Sequence, residues 1–144
     1  MTGVQTCALP IYAILNKEGP LTAGELEIVR RHPVAGEEIL APVPLFSRVR
    51  KIVRHDHEHW DGSGYPDGLQ GRQIPLGARI VLVVDAYHAM VTDRPYRSSM
   101  SHDEACRELR TCAGTQFDPD VVGAFMTVAE RQPALLIEAQ PSRT

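Results

Sequence analysis

The segment from Leu76 to Val91 most constrains the fold, because it decides between a helical and a mixed architecture. Its residues 80–84 (IVLVV) are apolar and mostly β-branched, and taken alone they are typical of a buried strand. The apolar character continues through residues 86–90, which makes the segment longer than an ordinary strand. We therefore predict one long buried helix over 76–91 and keep a buried strand as the alternative.

Capping residues and proline predict two helices in the N-terminal part. Thr22 and Glu25 have capping-box spacing, which predicts the start of a helix. We expect that helix to end near His32, because Pro33 disfavours helical geometry in the residue before it. A second short helix is then expected to reach about Leu40.

Three further elements are predicted in the middle and C-terminal parts. Apolar residues at helical spacing predict an amphipathic helix over 45–59, and the loop 61–75 is rich in glycine and proline. Ser101 and Glu104 form a second capping-box pattern, and the helix they open is expected to end at Gly114.

The last predicted helix completes an all-α fold class. Asp118 is expected to cap it, with Pro119 at its first position, and it should continue to about Glu130. No remaining segment predicts a strand. We therefore expect a helical bundle.

Composition excludes several classes of protein. With 144 residues, of which 43% are hydrophobic, the chain can bury one domain core. A formal charge of −3 gives no basic surface for duplex nucleic acid. No apolar run approaches the roughly 20 residues that span a bilayer, so no membrane contact is expected. Cys7, Cys106 and Cys112 lack zinc-ligand spacing and suit a reducing, cytoplasmic location.

Residues 56–68 (DHEHWDGSGYPDG) combine imidazoles and carboxylates with three glycines and a proline. Imidazole and carboxylate are common ligands of first-row metals, and glycine lets a backbone approach a ligand closely. Pro66 biases Tyr65 toward an extended conformation. The segment predicts a metal site beside a rigid loop that presents a tyrosine to substrate.

Residues 61–66 (DGSGYP) resemble the signature of the HD-GYP domains, a branch of the HD superfamily of metal-dependent phosphohydrolases. Residues 93–97 and 117–119 match two further family segments in the right order, and the resemblance runs from about Tyr12 to about Glu130. It implies a helical bundle of the HD-superfamily type. It also implies hydrolysis of the bacterial second messenger cyclic di-GMP with two or three divalent metal ions.

Four side chains are the candidate metal ligands: His32, Asp56, His57 and Asp85. A mixed set of histidine and carboxylate suits iron or manganese better than structural zinc. A lone carboxylate in the apolar segment 76–91 would be costly unless it were paired or bound to metal. The alternatives are that His32 is a surface histidine and that Asp85 pairs with Arg79 or Arg94. His55, His59 and His102 are expected to face solvent.

The resemblance also implies substrate-binding residues. The family holds the phosphates of the dinucleotide with basic residues at the positions of Arg94 and Arg97, and contacts the ligand at the position of Tyr65. Guanidinium groups bind phosphate oxygens well. The alternative is a solvated cationic corner after a helix. A homodimer or a signalling protein is a further expected partner.

Two departures from the family pattern stand out. Asp56 occupies a position where the family usually has the first of two adjacent histidines. The defining His-Asp pair of the family aligns with Gly3 and Val4, and the lysine that follows it aligns with Cys7. Residues 1–11 are therefore predicted to be a non-native leader, and residues 12–144 the C-terminal two-thirds of a domain that is incomplete at its N-terminus.

These departures leave the function open between an enzyme and a binding module. The parent protein is expected to be a cyclic di-GMP phosphodiesterase, while little or no hydrolysis is expected of the chain as given. The alternative is a non-catalytic module of the same fold that binds nucleotide or a partner in second-messenger signalling. A phosphohydrolase acting on another nucleotide is a weaker third hypothesis.

Overall fold

The structure is a computed structural model that describes residues 14, 17, 19–93 and 98–131. Six α-helices lie in this part of the chain, together with short 3-10 helices at Pro44–Phe46 and Gly71–Gln73. The α-helices are α1 (Ala23–Val29), α2 (His32–Leu40), α3 (Val49–His55), α4 (Leu76–Val91), α5 (His102–Thr111) and α6 (Pro119–Arg131). The described residues form no β-strand, and their one β-type pairing is an isolated bridge between Ala113 and Phe117. The all-α prediction is confirmed, and the strand alternative for residues 80–84 is wrong.

The predicted start of α1 is confirmed, but its predicted end is wrong. Thr22 and Glu25 form a reciprocal capping box that opens α1, and the helix ends at Val29 instead of near His32. His32 is the first residue of α2, with Pro33 directly after it. Proline is well suited to the first turn of a helix because its missing N–H has no intrahelical partner there. The proline therefore starts the second helix and does not end the first.

The helix predicted over 45–59 is shorter than expected. Its N-terminal part is a 3-10 turn, and α3 ends at His55 with Asp56 as its C-cap. The backbone groups that follow bond to loops instead: the His57 carbonyl accepts from Tyr65 N–H at 3.2 Å, and Trp60 N–H donates to Gln116 O at 3.1 Å. These contacts from distant segments take the place of the helical hydrogen bonds.

The C-terminal helices follow the prediction except at one boundary. Ser101 and Glu104 form the second capping box, and α5 ends at Thr111, three residues before Gly114. The carbonyl of Cys112 accepts from three successive N–H groups, those of residues 115–117, and this compact turn ends the helix. Gly114 adopts a φ of +88° inside the turn, a conformation that favours glycine.

The core lies where α4, α5 and α6 meet. One face of α4 is buried and contributes Leu82, Val83 and Tyr87, which pack with Leu109 of α5 and Val122 of α6. The other face of α4 is exposed in the described structure. None of the described helices is both long enough and apolar enough to cross a membrane.

Helix α3 packs between α2 and α4 and thereby fixes the position of the residues that follow it. Its approach to α4 is close: a Cβ atom on Gly77 would lie 2.9 Å from Ile52 Cγ1. Arg79 and Asp118 tie α4 to the start of α6 with a hydrogen-bonded ion pair of 2.5 Å, and Asp118 also accepts from Asp120 N–H. Arg79 is therefore engaged by Asp118, which argues against the alternative that Asp85 pairs with Arg79.

Candidate metal and ligand site

Two candidate metal ligands from distant parts of the chain meet at the start of α2. His32 and His57 place their Nε2 atoms 3.0 Å apart. His32 Nδ1 lies 2.7 Å from the carbonyl oxygen of Val29, which can only accept, so Nδ1 carries the proton. The Nε2 lone pair of His32 therefore faces His57, as metal binding requires.

Asp56 brings an unsatisfied carboxylate to the same place. Its Oδ1 is buried, has no hydrogen-bond partner among the described residues, and lies 3.9 Å from His57 Nε2. Burial raises the pKa of Asp56, although the charges of His57 and His32 oppose that shift. Burial likewise lowers the pKa of His57, and Asp56 opposes this. Burial therefore disfavours the charged form of each group, and a bound cation would stabilise the Asp56 carboxylate.

The donor atoms of this cluster fit part of a divalent metal site. When two nitrogen ligands each lie about 2.1 Å from one ion and the N–ion–N angle is a right angle, the two nitrogens are about 3 Å apart. This is the observed distance between the Nε2 atoms of His32 and His57. The orphaned Asp56 oxygen supplies a third donor of a suitable type. Within the described ranges, however, no group of three or more His, Cys, Asp or Glu side chains is already arranged to hold an ion.

Asp85, the fourth predicted ligand, lies on the exposed face of α4. The expectation that this carboxylate is buried in an apolar helix is wrong, because α4 buries the opposite face. Its charge nevertheless acts on both neighbours: it adds to the rise that burial causes in the pKa of Asp56, and it opposes the lowering that burial causes in the pKa of His57. Together with His88 it borders a shallow groove of about 410 Å³ that is otherwise lined by apolar residues of α4. The role of Asp85 as a ligand stays a prediction.

Tyr65 packs directly on one of the candidate metal ligands. Its ring stacks on the imidazole of His57, with centroids 5.1 Å apart and planes inclined by 18°. The Tyr65–Pro66 peptide bond is cis. Burial and the nearby Asp56 carboxylate raise the pKa of the Tyr65 hydroxyl, so it stays protonated and can donate a hydrogen bond.

The glycine before Tyr65 is required by close backbone packing. A Cβ atom at Gly64 would lie 2.6 Å from the carbonyl oxygen of His57 and would also overlap the backbone of Glu58 and His59. The loop therefore lies directly on residues 57–59, which explains the predicted need for glycine here.

Glu58 is a residue that the sequence prediction missed. Its side chain is only 1% exposed, and its carboxylate accepts hydrogen bonds from Asp67 N–H at 2.7 Å and Leu69 N–H at 3.1 Å. The carboxylate thus replaces the backbone partners that the glycine-rich loop cannot provide for itself. The signal in the sequence is an acidic residue between two histidines directly before such a loop.

An ion-pair network fixes the far end of the loop. Arg54 of α3 binds both carboxylate oxygens of Asp67, at 2.7 and 2.8 Å, and also Glu37 of α2 at 2.7 Å. The Arg54 hydrogen bonds lower the pKa of Asp67 to about 2. His55 Nε2 contacts the same carboxylate at 2.9 Å. His55 is thus engaged with Asp67, contrary to the expectation that it faces solvent.

The remaining predicted residues have different outcomes. His102 is half-buried and its Nδ1 lies 2.9 Å from the Tyr87 hydroxyl, so the expectation that it faces solvent is wrong. His59 Nδ1 lies 3.0 Å from the hydroxyl of Ser63 within the loop. Arg94 and Arg97, the predicted phosphate-binding pair, lie outside the described residues.

Comparison with known proteins supports the resemblance on which these predictions depend. The profile of the HD domain family matches residues 3–121. A cyclic di-GMP phosphodiesterase of Thermotoga maritima is 43% identical over 115 residues, which make up 78% of this chain and 31% of that protein. A 3'3'-cGAMP-specific phosphodiesterase of Vibrio cholerae is 37% identical over 112 residues, or 76% of this chain and 22% of that protein.

A solved structure agrees with the fold. The crystal structure of a cyclic GMP-AMP specific phosphodiesterase of V. cholerae matches with a TM-score of 0.64 at 20% identity, covering 92% of this chain and 34% of that one. At this identity the likeness shows the fold alone, and it confirms the predicted helical bundle. The chain spans less than a third of the length of the two curated relatives.

Proposed function

Because the chain belongs to the HD domain family, as its DGSGYP segment predicted, we propose that it is part of a metal-dependent phosphodiesterase acting on cyclic di-GMP. The observation that carries the proposal is a three-residue cluster. The buried Asp56 oxygen, which has no partner among the described residues, lies 3.9 Å from His57 Nε2, and that nitrogen lies 3.0 Å from His32 Nε2. Such a group of donors is costly to keep without a cation, since buried polar atoms are nearly always partnered.

In this proposal the metal is held by the four predicted ligands, namely His32, Asp56, His57 and Asp85. Two or three ions are expected, and the nitrogen and oxygen donors favour iron or manganese. When bound, divalent ions would supply the Lewis acidity that polarises a phosphoryl oxygen. The protein's own contribution is orientation: the Val29 carbonyl fixes the tautomer of His32, and the Tyr65 ring fixes the plane of His57.

Substrate contacts are assigned to Tyr65 and to the arginine pair. The protonated Tyr65 hydroxyl can donate to an oxygen of the ligand, and stacking on His57 keeps the ring at the edge of the metal cluster. Arg94 and Arg97 are proposed to hold the phosphates, on the strength of the family resemblance. A cytoplasmic location is proposed as well, supported by the free thiols of Cys106 and Cys112.

A non-catalytic binding module is the second candidate. It is favoured by the absence, among the described residues, of a complete metal-binding group. Gly3 and Val4, at the positions of the family's His-Asp pair, favour it too. Such a module would bind a cyclic dinucleotide or a partner, such as a second copy or a signalling protein, without hydrolysing a phosphodiester bond.

Coupling between metal and nucleotide binding separates the two candidates. Cyclic di-GMP would be titrated into the full chain after removal of metal and again with Mn²⁺ or Fe²⁺, while products are followed by chromatography; 3'3'-cGAMP serves as a comparison substrate. The enzyme proposal expects metal to strengthen binding and any turnover, however slow, to require metal and to disappear in Asp56→Ala.

Asp120→Ala is the matched control, because this aspartate is exposed and its nearest ion-pair partner, Arg72, lies 3.7 Å away. Binding of cyclic di-GMP that is independent of metal, with no turnover, would favour the binding module. Binding of neither metal nor nucleotide would exclude the enzyme and the nucleotide-binding form of the module.

A further inference from the structure

The guanidinium of Arg30, a residue outside the predicted site, lies at the edge of the candidate site. Arg30 is the C-cap of α1, and its backbone N–H bonds to the carbonyl of Leu26. Its guanidinium carbon lies 5.4 Å from the centroid of the Tyr65 ring. Since Tyr65 also stacks on His57, one aromatic ring connects this cation to the candidate metal ligands.

Arg30 differs from the other arginines near it in having no carboxylate partner in the described structure. Arg31 pairs with Glu27 at 3.0 Å, and Arg54 is held by Asp67 and Glu37 at 2.7 Å. A guanidinium that is already paired has few donors left for a ligand. Arg30 is exposed and keeps its planar donor face available.

The negative charge of the site also favours a cationic side chain as a phosphate-binding group. Asp56 lies 3.9 Å from His57 Nε2, and Asp85 is near enough for its charge to act on the same histidine, so the two carboxylates would repel an approaching phosphate. A cyclic dinucleotide carries two phosphodiester groups, so a metal that binds one leaves the other to organic cations. The contact of Arg30 with Tyr65 keeps the side chain in place and reduces the entropy lost when it binds an anion.

We propose that Arg30 is a phosphate-binding residue of this site, which grips one phosphodiester of a cyclic dinucleotide while Tyr65 supports the guanidinium. The inference rests on the proposed function, because it assumes that a cyclic dinucleotide occupies the site. It adds a third cation, on α1, to the two that the resemblance implies after α4.

The test is isothermal titration of cyclic di-GMP into the full metal-free chain, comparing Arg30→Ala with Arg31→Ala. Arg31 is the matched control because it is the next residue, its side chain is 75% exposed, and among the described residues that side chain pairs with the exposed Glu27. Loss of a charge-assisted hydrogen bond to phosphate should weaken binding about tenfold to a hundredfold in Arg30→Ala. Arg31→Ala should stay within about twofold of the unmodified chain.

A charge-retaining variant distinguishes the chemistry of the contact. Arg30→Lys should recover part of the affinity, since the charge remains but the planar fork is lost. The difference between the unmodified chain and Arg30→Ala should shrink as salt is raised.

Two outcomes would overturn the inference, and they are distinguishable. If the unmodified chain binds cyclic di-GMP and Arg30→Ala binds it as tightly, Arg30 is not a ligand, and the proposed function is untouched. If the unmodified chain binds no cyclic di-GMP with or without metal, the proposed function and this inference fail together.

Discussion

Replacement of Glu58 should destabilise the loop of residues 61–69, which this side chain holds in place. Its carboxylate is buried and accepts from Asp67 N–H at 2.7 Å and Leu69 N–H at 3.1 Å. A hydrogen bond to a charged group contributes about 1.5–3 kcal/mol. Loss of both in Glu58→Ala, partly offset by relief of the buried charge, should lower the free energy of unfolding by about 2–4 kcal/mol.

The amide variant gives the intermediate value that makes this test specific. Glu58→Gln keeps one acceptor oxygen and the side-chain volume, but its NH₂ group cannot accept from the second N–H. We therefore expect Glu58→Gln to lower the free energy of unfolding by about 1–2 kcal/mol, which makes it less stable than the unmodified protein and more stable than Glu58→Ala. The control is Glu27→Ala, because the Glu27 side chain is 71% exposed and its ion pair with Arg31 should contribute less than about 1 kcal/mol.

Urea denaturation of the metal-free chain measures these differences. Trp60 is the only tryptophan, and its backbone bonds to Gln116 and Gly71, so its fluorescence reports on this loop. Metal binding should weaken in the same order as stability, because the loop that Glu58 holds carries the Tyr65 ring that stacks on His57. A Glu58→Ala protein as stable as Glu27→Ala would refute the assignment of Glu58 as the residue that holds the loop.

Two further predictions concern the same loop. Arg54 lowers the pKa of Asp67 from 3.8 to about 2. The contribution of the Arg54–Asp67 ion pair to the free energy of unfolding is therefore complete above about pH 4 and is lost as the pH falls toward 2. Asp67→Asn should lower the free energy of unfolding by about 1 kcal/mol, a value that allows for the solvent exposure of the ion pair. The stability of this variant, measured by urea denaturation, should depend less on pH over that range, whereas Asp120→Asn should keep the pH dependence of the unmodified chain. Gly64→Ala should abolish cyclic di-GMP binding by displacing the loop, and circular dichroism should show a helix content equal to that of Gly24→Ala, a site with open space around it.

The sequence predicted the helices well where local signals and long-range packing agree. Both predicted capping boxes are present at the starts of α1 and α5, and Pro119 is the first residue of α6 as predicted. The long helix α4 runs over the predicted residues, although its β-branched centre favoured a strand. In this segment length and continuation outweighed local β propensity.

The predicted ends of the helices failed where distant residues supply the hydrogen bonds. Apolar spacing continues beyond His55, but the backbone after it bonds to residues 65 and 116. Nothing local to the sequence encodes those partners. The role of Glu58 was missed for the same reason, since its acceptor function appears only when residues 67 and 69 fold back over it.

Asp56, at a position where the resemblance implies a histidine, changes the charge of the proposed site. With two neutral imidazoles and the carboxylates of Asp56 and Asp85, one divalent ion would be neutralised by its protein ligands, whereas a histidine in place of Asp56 would leave one positive charge. A neutralised ion binds its ligands more tightly and polarises a phosphoryl oxygen less. Positive charge from the protein then becomes more important for holding an anionic substrate. The exposed guanidinium of Arg30 against Tyr65 lies where it can supply that charge.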